Sequence, residues 1–296
     1  MNAVPEKYYI LFYNLSIDQD CVDLLPGFVL KKVSPISVFD LALAGSKGFR
    51  EWAILEPIIH NCTTEAISWD TEELTNPIGY DALNRVWLFS VLLILNDMQD
   101  QYPIAYNKYS WNIFSGQTVP GAVKASIGEF SGGVLDFTLS YIHTTSKKGM
   151  LDNESYEFIR KYFISANKLA HDYEQFRLGL LSLYDWRFAK DIRVAIARLW
   201  VGIEALLNIN SELSYRIALY ASTVLEDRGE ARKARFNEIK KLYSKRSRAV
   251  HGDSMSDEDL VDTVEKSFQL LKDLIVFCCK TNKMLSIVDI ENLLLC

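Results

Sequence analysis

The feature that most constrains this chain is the persistence of helical spacing among the apolar residues of its second half. Phe188, Ile192, Ala195, Ile196, Leu199, Ile203, Leu206 and Leu207 fall on one stripe, and Leu260, Val264, Phe268, Leu271, Ile275 and Cys278 fall on another. Steps of three and four place such residues on one helix face, which has to be buried against a neighbour. Tyr156, Ile159 and Phe163, followed by Leu169, Tyr173, Phe176, Leu180, Leu183 and Tyr184, mark one or two earlier helices. Further helices are predicted over residues 214–226 and 230–251. Ser256 with Asp259 three positions on forms a capping signal, and Asp257, Glu258 and Asp259 suit the positive end of the helix dipole. Gly252 fits the left-handed residue that closes the preceding helix. Four or five antiparallel helices over residues 151–296 predict a bundle.

Residues 1–150 read differently. Aromatic and apolar runs at 8–15, at 28–33 after Pro26-Gly27, at 52–59, 66–69, 104–114 and 134–141 predict strands. Leu83, Val86, Trp87, Val91, Ile94 and Leu95 predict one helix across residues 81–97. The turn-rich segment 144–153 is the expected boundary. The fold class is therefore α+β: an N-terminal mixed α/β domain over residues 1–150, whose role, whether sensing, regulatory or substrate-selecting, the residues do not identify, followed by an all-α bundle. The longest apolar run, residues 86–95, is interrupted by Ser90 and falls far short of the roughly 20 residues that cross a bilayer, so no membrane anchor is expected. Five cysteines, an odd number with no Cys-x-x-Cys pair, and an N-terminus without signal-peptide features predict a reducing cytoplasm.

Charge is distributed unevenly. Residues 228–251 carry nine basic and two acidic residues, a balance of +7, whereas the rest of the chain has 23 basic against 36 acidic, or −13. An acidic protein with one basic segment presents a local site to an anion and is not built for indiscriminate binding to nucleic acid. That segment contains Arg246 and, five residues on, His251, one of four histidines. The spacing alone is weak, since about 0.2 matches are expected by chance in a chain of this composition. The chemistry is coherent nonetheless. RNA is cleaved when its 2′-hydroxyl attacks the adjacent phosphorus, which needs a proton acceptor near neutral pH and a cation for the developing charge. Histidine supplies the first, and arginine the second through paired hydrogen bonds to phosphate oxygens. No His, Asp and Glu cluster at metal-ligand spacing offers an alternative, and no cofactor motif is present.

Three blocks carry a family resemblance: Leu199-Trp200-Val201-Gly202-Ile203-Glu204-Ala205-Leu206-Leu207, Arg216-Ile217-Ala218, and Ile239-Lys240-Lys241-Leu242-Tyr243 leading into Arg246-Ser247 and Val250-His251-Gly252. Together they resemble the Apea-like branch of the HEPN superfamily, helical domains named for higher eukaryotes and prokaryotes nucleotide-binding. The resemblance covers the C-terminal half. It implies a metal-independent endoribonuclease effector of bacterial anti-phage defence or a toxin-like stress response, with RNA as substrate and Arg246 and His251 as the catalytic pair. It also implies a homodimer through the bundle and an unidentified activator or inhibitor. Ser247 stands where most HEPN nucleases carry Asn, Asp or His, although the Apea-like branch is similar to this chain there. Ser247, Tyr243 and Glu204 are expected to support the pair, and Lys240, Lys241, Lys245 and Arg248 to bind RNA.

Each assignment has an alternative. His251 is also a suitable cation for a helix C-terminus. The lysines and Arg248 are also compatible with a solvated face. Glu204, at the edge of an apolar stripe, is expected either to pair with a cation such as Arg193 or Arg216 or to orient Arg246 or His251. A catalytically silent HEPN module that scaffolds a dimer or binds RNA or a nucleotide is the rival to the nuclease. Geometry also poses a question: five residues on an α-helix leave two side chains roughly 140° apart around the axis. Either the helix loosens before Gly252 or a second subunit completes the site.

Overall fold

The computed structural model describes residues 6–71, 82–115, 130–135, 149–209 and 211–295. The chain divides into two compact units, residues 1–138 with 146–161, and residues 139–145 with 162–296.

The first unit is built on an antiparallel sheet. Its strands are β1 (Tyr8–Tyr13), β3 (Cys21–Leu25), β4 (Phe28–Lys32), β5 (Thr64–Ser68), β6 (Tyr102–Asn107) and β7 (Gly133–Val134), in the spatial order β3-β4-β5-β1-β6-β7. A short β2 (Ser16–Ile17) pairs in parallel with β8 (Met150–Leu151). In β1 the consecutive Ile10, Leu11 and Phe12 are all buried, as a strand covered on both faces requires. Gly27 turns β3 into β4 with φ +73°, and a Cβ there would lie 2.5 Å from the Trp69 carbonyl oxygen, so only glycine fits. Two charges are enclosed. Arg85, on the helix α3 (Ala82–Leu95), donates to the Trp69 carbonyl at 2.8 Å. Glu65 accepts from Ser110 Oγ at 2.6 Å and from the Trp111 amide at 2.7 Å; burial pushes its carboxyl above the usual range while these bonds pull it back.

Several expectations need correction. Residues 52–59 do not form a strand: α2 (Gly45–Leu55) runs through the first part, and a 3-10 turn (Ile59–Asn61) follows. Gly48, Glu51 and Leu55 are buried while Ala53 and Ile54 are exposed, a helical rather than an alternating pattern. Between residues 104 and 114 the strand ends at Asn107, and Ser110 caps a 3-10 turn, Trp111–Phe114. The aromatic residues there pack around Phe130 and do not extend the ladder. Strand β3, with Val22 and Leu24 buried between exposed Cys21 and Asp23, and the short helix α1 (Val38–Leu43) were not anticipated. Of the expected strand 134–141, Gly133–Val134 pairs with β6, and residues 136–141 lie outside the described residues, as does the first half, 144–148, of the expected boundary at 144–153.

The second unit is helical. Helix α4 (Asn153–Asp172) contributes its residues from Tyr162 onward, followed by α5 (Glu174–Asp185), α6 (Ile192–Leu207), α7 (Leu213–Leu225), α8 (Glu230–His251), α9 (Asp257–Thr281) and an unanticipated α10 (Ile287–Leu295). Helix α6 is the centre, packing on α5, α8 and α9 with its apolar stripe buried from Ala195 to Leu207. Asp191 caps its start by accepting from the Arg193 and Val194 amides, and Asn208 closes it in the left-handed conformation. At Gly202 the approach is so close that a Cβ would meet Ser182 Cβ of α5 at 2.7 Å and Leu271 Cδ2 of α9 at 3.0 Å. Ser256 caps α9 as expected, its Oγ accepting from the Asp259 amide at 3.2 Å. Cys278 and Cys279 are buried in α9, and burial pushes each thiol up to about 12.

Candidate active site

The close packing of α6 against α8 and α9 sets up a chain of aromatic and charged groups. Trp200 and Glu204 stand one turn apart on α6, and Tyr243 and Arg246 one turn apart on α8. Trp200 is fully buried, and its indole Nε1 donates to Ser267 Oγ of α9 at 2.9 Å, which fixes the ring. The Tyr243 ring meets it edge to face, 5.3 Å between centroids. The Arg246 guanidinium lies 5.6 Å from the Tyr243 centroid, and its Nη2 donates to Glu204 Oε1 at 2.9 Å. The pair is largely desolvated, with side-chain exposures of 19% for Arg246 and 26% for Glu204. Arg246 Nε is buried and has no hydrogen-bond partner among the described residues. The guanidinium is thus held by a carboxylate and a ring, and its terminal nitrogens, not the buried Nε, carry the donor capacity left over for a phosphate oxygen.

Glu204 therefore pairs with Arg246 and not with either of the other cations considered for it. Arg193 is used elsewhere: its Nη1 donates to the Ala249 carbonyl at 2.9 Å and its Nη2 to the Asp253 carbonyl at 2.8 Å. Arg216 donates to Ser211 Oγ and Tyr220 Oη. Arg193 secures the end of α8, where Gly252 is left-handed at φ +81° and the Gly252 and Asp253 amides donate to Ala249 and Arg248 carbonyls.

His251 is the last residue of α8 and is exposed. The helix runs unbroken through it, so it does not loosen before Gly252. The 140° separation around the axis is retained. Arg246 turns toward α6, His251 faces solvent, and the two do not converge within one chain. Ser247 is half-buried on the same helix.

The expected RNA-binding residues differ in availability. Lys240 and Lys241 are exposed. Lys245 is engaged, its Nζ holding Asp259 Oδ1 at 2.8 Å and Asp262 Oδ2 at 3.0 Å; these bonds raise the lysine pKa, and the same ammonium lowers that of Asp259. Arg248 donates to the Ser254 carbonyl at 2.8 Å. Away from the site, His171 pairs with Asp172, and Trp111 is wholly buried. His143 lies outside the described residues. Among the described residues, no three His, Cys, Asp or Glu side chains group as a metal ion would require, and no helix is long and apolar enough to cross a membrane. The roles of Arg193 and Ser267 were not legible in the sequence, because each depends on the register between helices.

No protein-family model, characterised protein or solved structure matches the chain.

Proposed function

We propose that the helical unit is a metal-independent endoribonuclease of the HEPN type, acting as a homodimer. The observation that carries this is the Glu204–Arg246 pair seated on Tyr243, on the same helix that ends in an exposed histidine. A guanidinium fixed by a carboxylate is pre-organised for the equatorial oxygens of a phosphorane. His251 removes the proton from the 2′-hydroxyl as the 2′-oxygen to phosphorus bond forms. The bond to the 5′-oxygen breaks, and a protonated imidazole returns a proton to that leaving oxygen. The products are a 2′,3′-cyclic phosphate and a 5′-hydroxyl. Since Arg246 and His251 of one chain diverge, the pair is completed between two copies related by a two-fold axis. In this proposal the protein is a cytoplasmic effector of bacterial defence or a toxin-like response, and the N-terminal unit senses the trigger, restrains the nuclease or selects RNA.

The test is incubation of the purified protein with end-labelled RNA. Cleavage should persist in EDTA, yield cyclic-phosphate ends and vanish in His251→Ala. Products with 3′-hydroxyl ends, or EDTA inhibition reversed by magnesium, exclude this mechanism. The same divergence of the two side chains favours a second reading, a silent module that binds RNA or scaffolds a dimer, for which intact RNA under all conditions is the expected result.

A further inference from the structure

The beginning of α8 lines a groove that the catalytic proposal does not use. It measures about 350 Å³ and is bordered by Arg228, Arg232, Lys233, Tyr215, Phe236 and Leu294, with three cations and no carboxylate among its lining residues. In a chain of net charge −6 such a local excess of positive charge attracts an anion. Arg232 is partly prepared for one: its Nε donates to the Glu226 carbonyl at 2.9 Å, while its terminal nitrogens have no partner among the described residues. Arg228, which also lines the groove, donates to the Leu294 carbonyl at 2.6 Å. Lys233 has only a long, exposed ion pair with Glu230 at 3.7 Å. The aromatic wall is formed by Tyr215 and Phe236, edge to face at 5.6 Å, with Tyr215 half exposed at 52%.

Tyr215 also borders a second, more open groove, together with Ser211, Glu212 and Tyr243, and Tyr243 is the ring beneath the Arg246 guanidinium. Arg232, Phe236, Tyr243 and Arg246 lie within about 80° of one another around α8, and Arg232 and Arg246 are about 21 Å apart along it. Lys241, Lys245 and Arg248 lie on the opposite side at 100° per residue. Ile239, on the same side of α8, is buried, so the basic groove and the candidate site are joined through Tyr215, which borders both grooves.

We propose that a single-stranded RNA lies along these two grooves, with phosphates on Arg228, Arg232 and Lys233 and one base against the Tyr215 ring, the strand continuing past Tyr243 toward Arg246. Cations that follow the backbone beside an exposed ring are how proteins hold single strands without reading their sequence. The inference rests on RNA being the ligand of the proposed nuclease, but binding along the groove is separable from cleavage.

The test measures anisotropy of a short labelled RNA with 2′-O-methyl sugars, which has no hydroxyl to attack. Arg232→Gln with Lys233→Gln should weaken binding about tenfold at low salt and reduce the slope of log K against log salt by about 1.4, because each single-strand phosphate contact contributes roughly 0.7. Tyr215→Leu should weaken it about fivefold or more. Unaltered melting temperatures exclude misfolding as the cause. Wild-type affinity and slope in the double variant overturn the proposal, as does an absence of RNA binding by the wild type. An unaffected Tyr215→Leu reduces the groove to an anion-binding patch and also overturns it. If the wild type cleaves RNA while the groove variants bind normally, the groove falls and the nuclease reading stands; if the groove variants lose binding but no form cleaves, the reverse holds.

Discussion

At the scale of single residues, the charge of Arg246 is controlled by its neighbour more than by its own helix. A guanidinium that is mostly out of water requires a counter-charge, and Glu204 supplies it at 2.9 Å. Removing the carboxylate leaves a partly buried cation with an unpartnered Nε, so Glu204→Ala should destabilise the protein by about 1–3 kcal/mol. If Glu204 positions Arg246 for phosphate, the same variant should lose about a hundredfold in cleavage rate through misplacement of the guanidinium. Glu204→Gln, which keeps the shape and one acceptor, should recover most of the stability and part of the rate. Urea denaturation and single-turnover cleavage measure the two effects separately. A fully active Glu204→Ala would leave the pair as a packing feature. In the sequence the carboxylate could be seen at the edge of an apolar stripe, but not which of three arginines it would meet. That choice is made by the rotation of α6 against α8, to which spacing along either helix is blind.

At the scale of elements, what could be read in advance was whatever is periodic over many residues. Helices α6, α8 and α9 were expected with ends within a few residues, because their stripes are long and Ser256 and Gly252 punctuate them. Helix α2 was mistaken for a strand because its buried face includes Gly48 and Glu51, which do not register as hydrophobic, while Ile54 points to solvent. The aromatic run at 111–114 was mistaken for strand because rings suit both a ladder and a compact turn. The close meeting of α5, α6 and α9 depends on Gly202. Gly202→Ala gains about 1 kcal/mol of helix propensity, but the new methyl would sit 2.7 Å from Ser182 Cβ, an atom fixed to the backbone and unable to swing away. Overpacking of that kind costs about 1–3 kcal/mol, so the variant should be less stable, and Ser182→Gly in the same chain should restore it. Thermal melts of the single and double variants check this.

At the scale of the whole molecule, the proposed activity requires two chains. If each site draws Arg246 from one subunit and His251 from the other, neither Arg246→Ala nor His251→Ala should cleave RNA alone. A mixture refolded together should regain activity, since each mixed dimer has one site with both groups intact. Mass measurement by light scattering should report a dimer in the same samples. Continued inactivity of the mixture, with mixed dimers demonstrated, would exclude sharing. The hold of Arg193 on the end of α8 has a consequence for how such a molecule can diversify. Its two bonds go to the carbonyls of Ala249 and Asp253, which every residue type possesses. The exposed side chains of Asp253 and Ser254 can therefore change from one descendant to the next without disturbing where the helix stops. On the proposed function, His251 would keep its address while the exposed residues beyond it are free to acquire new tastes in RNA.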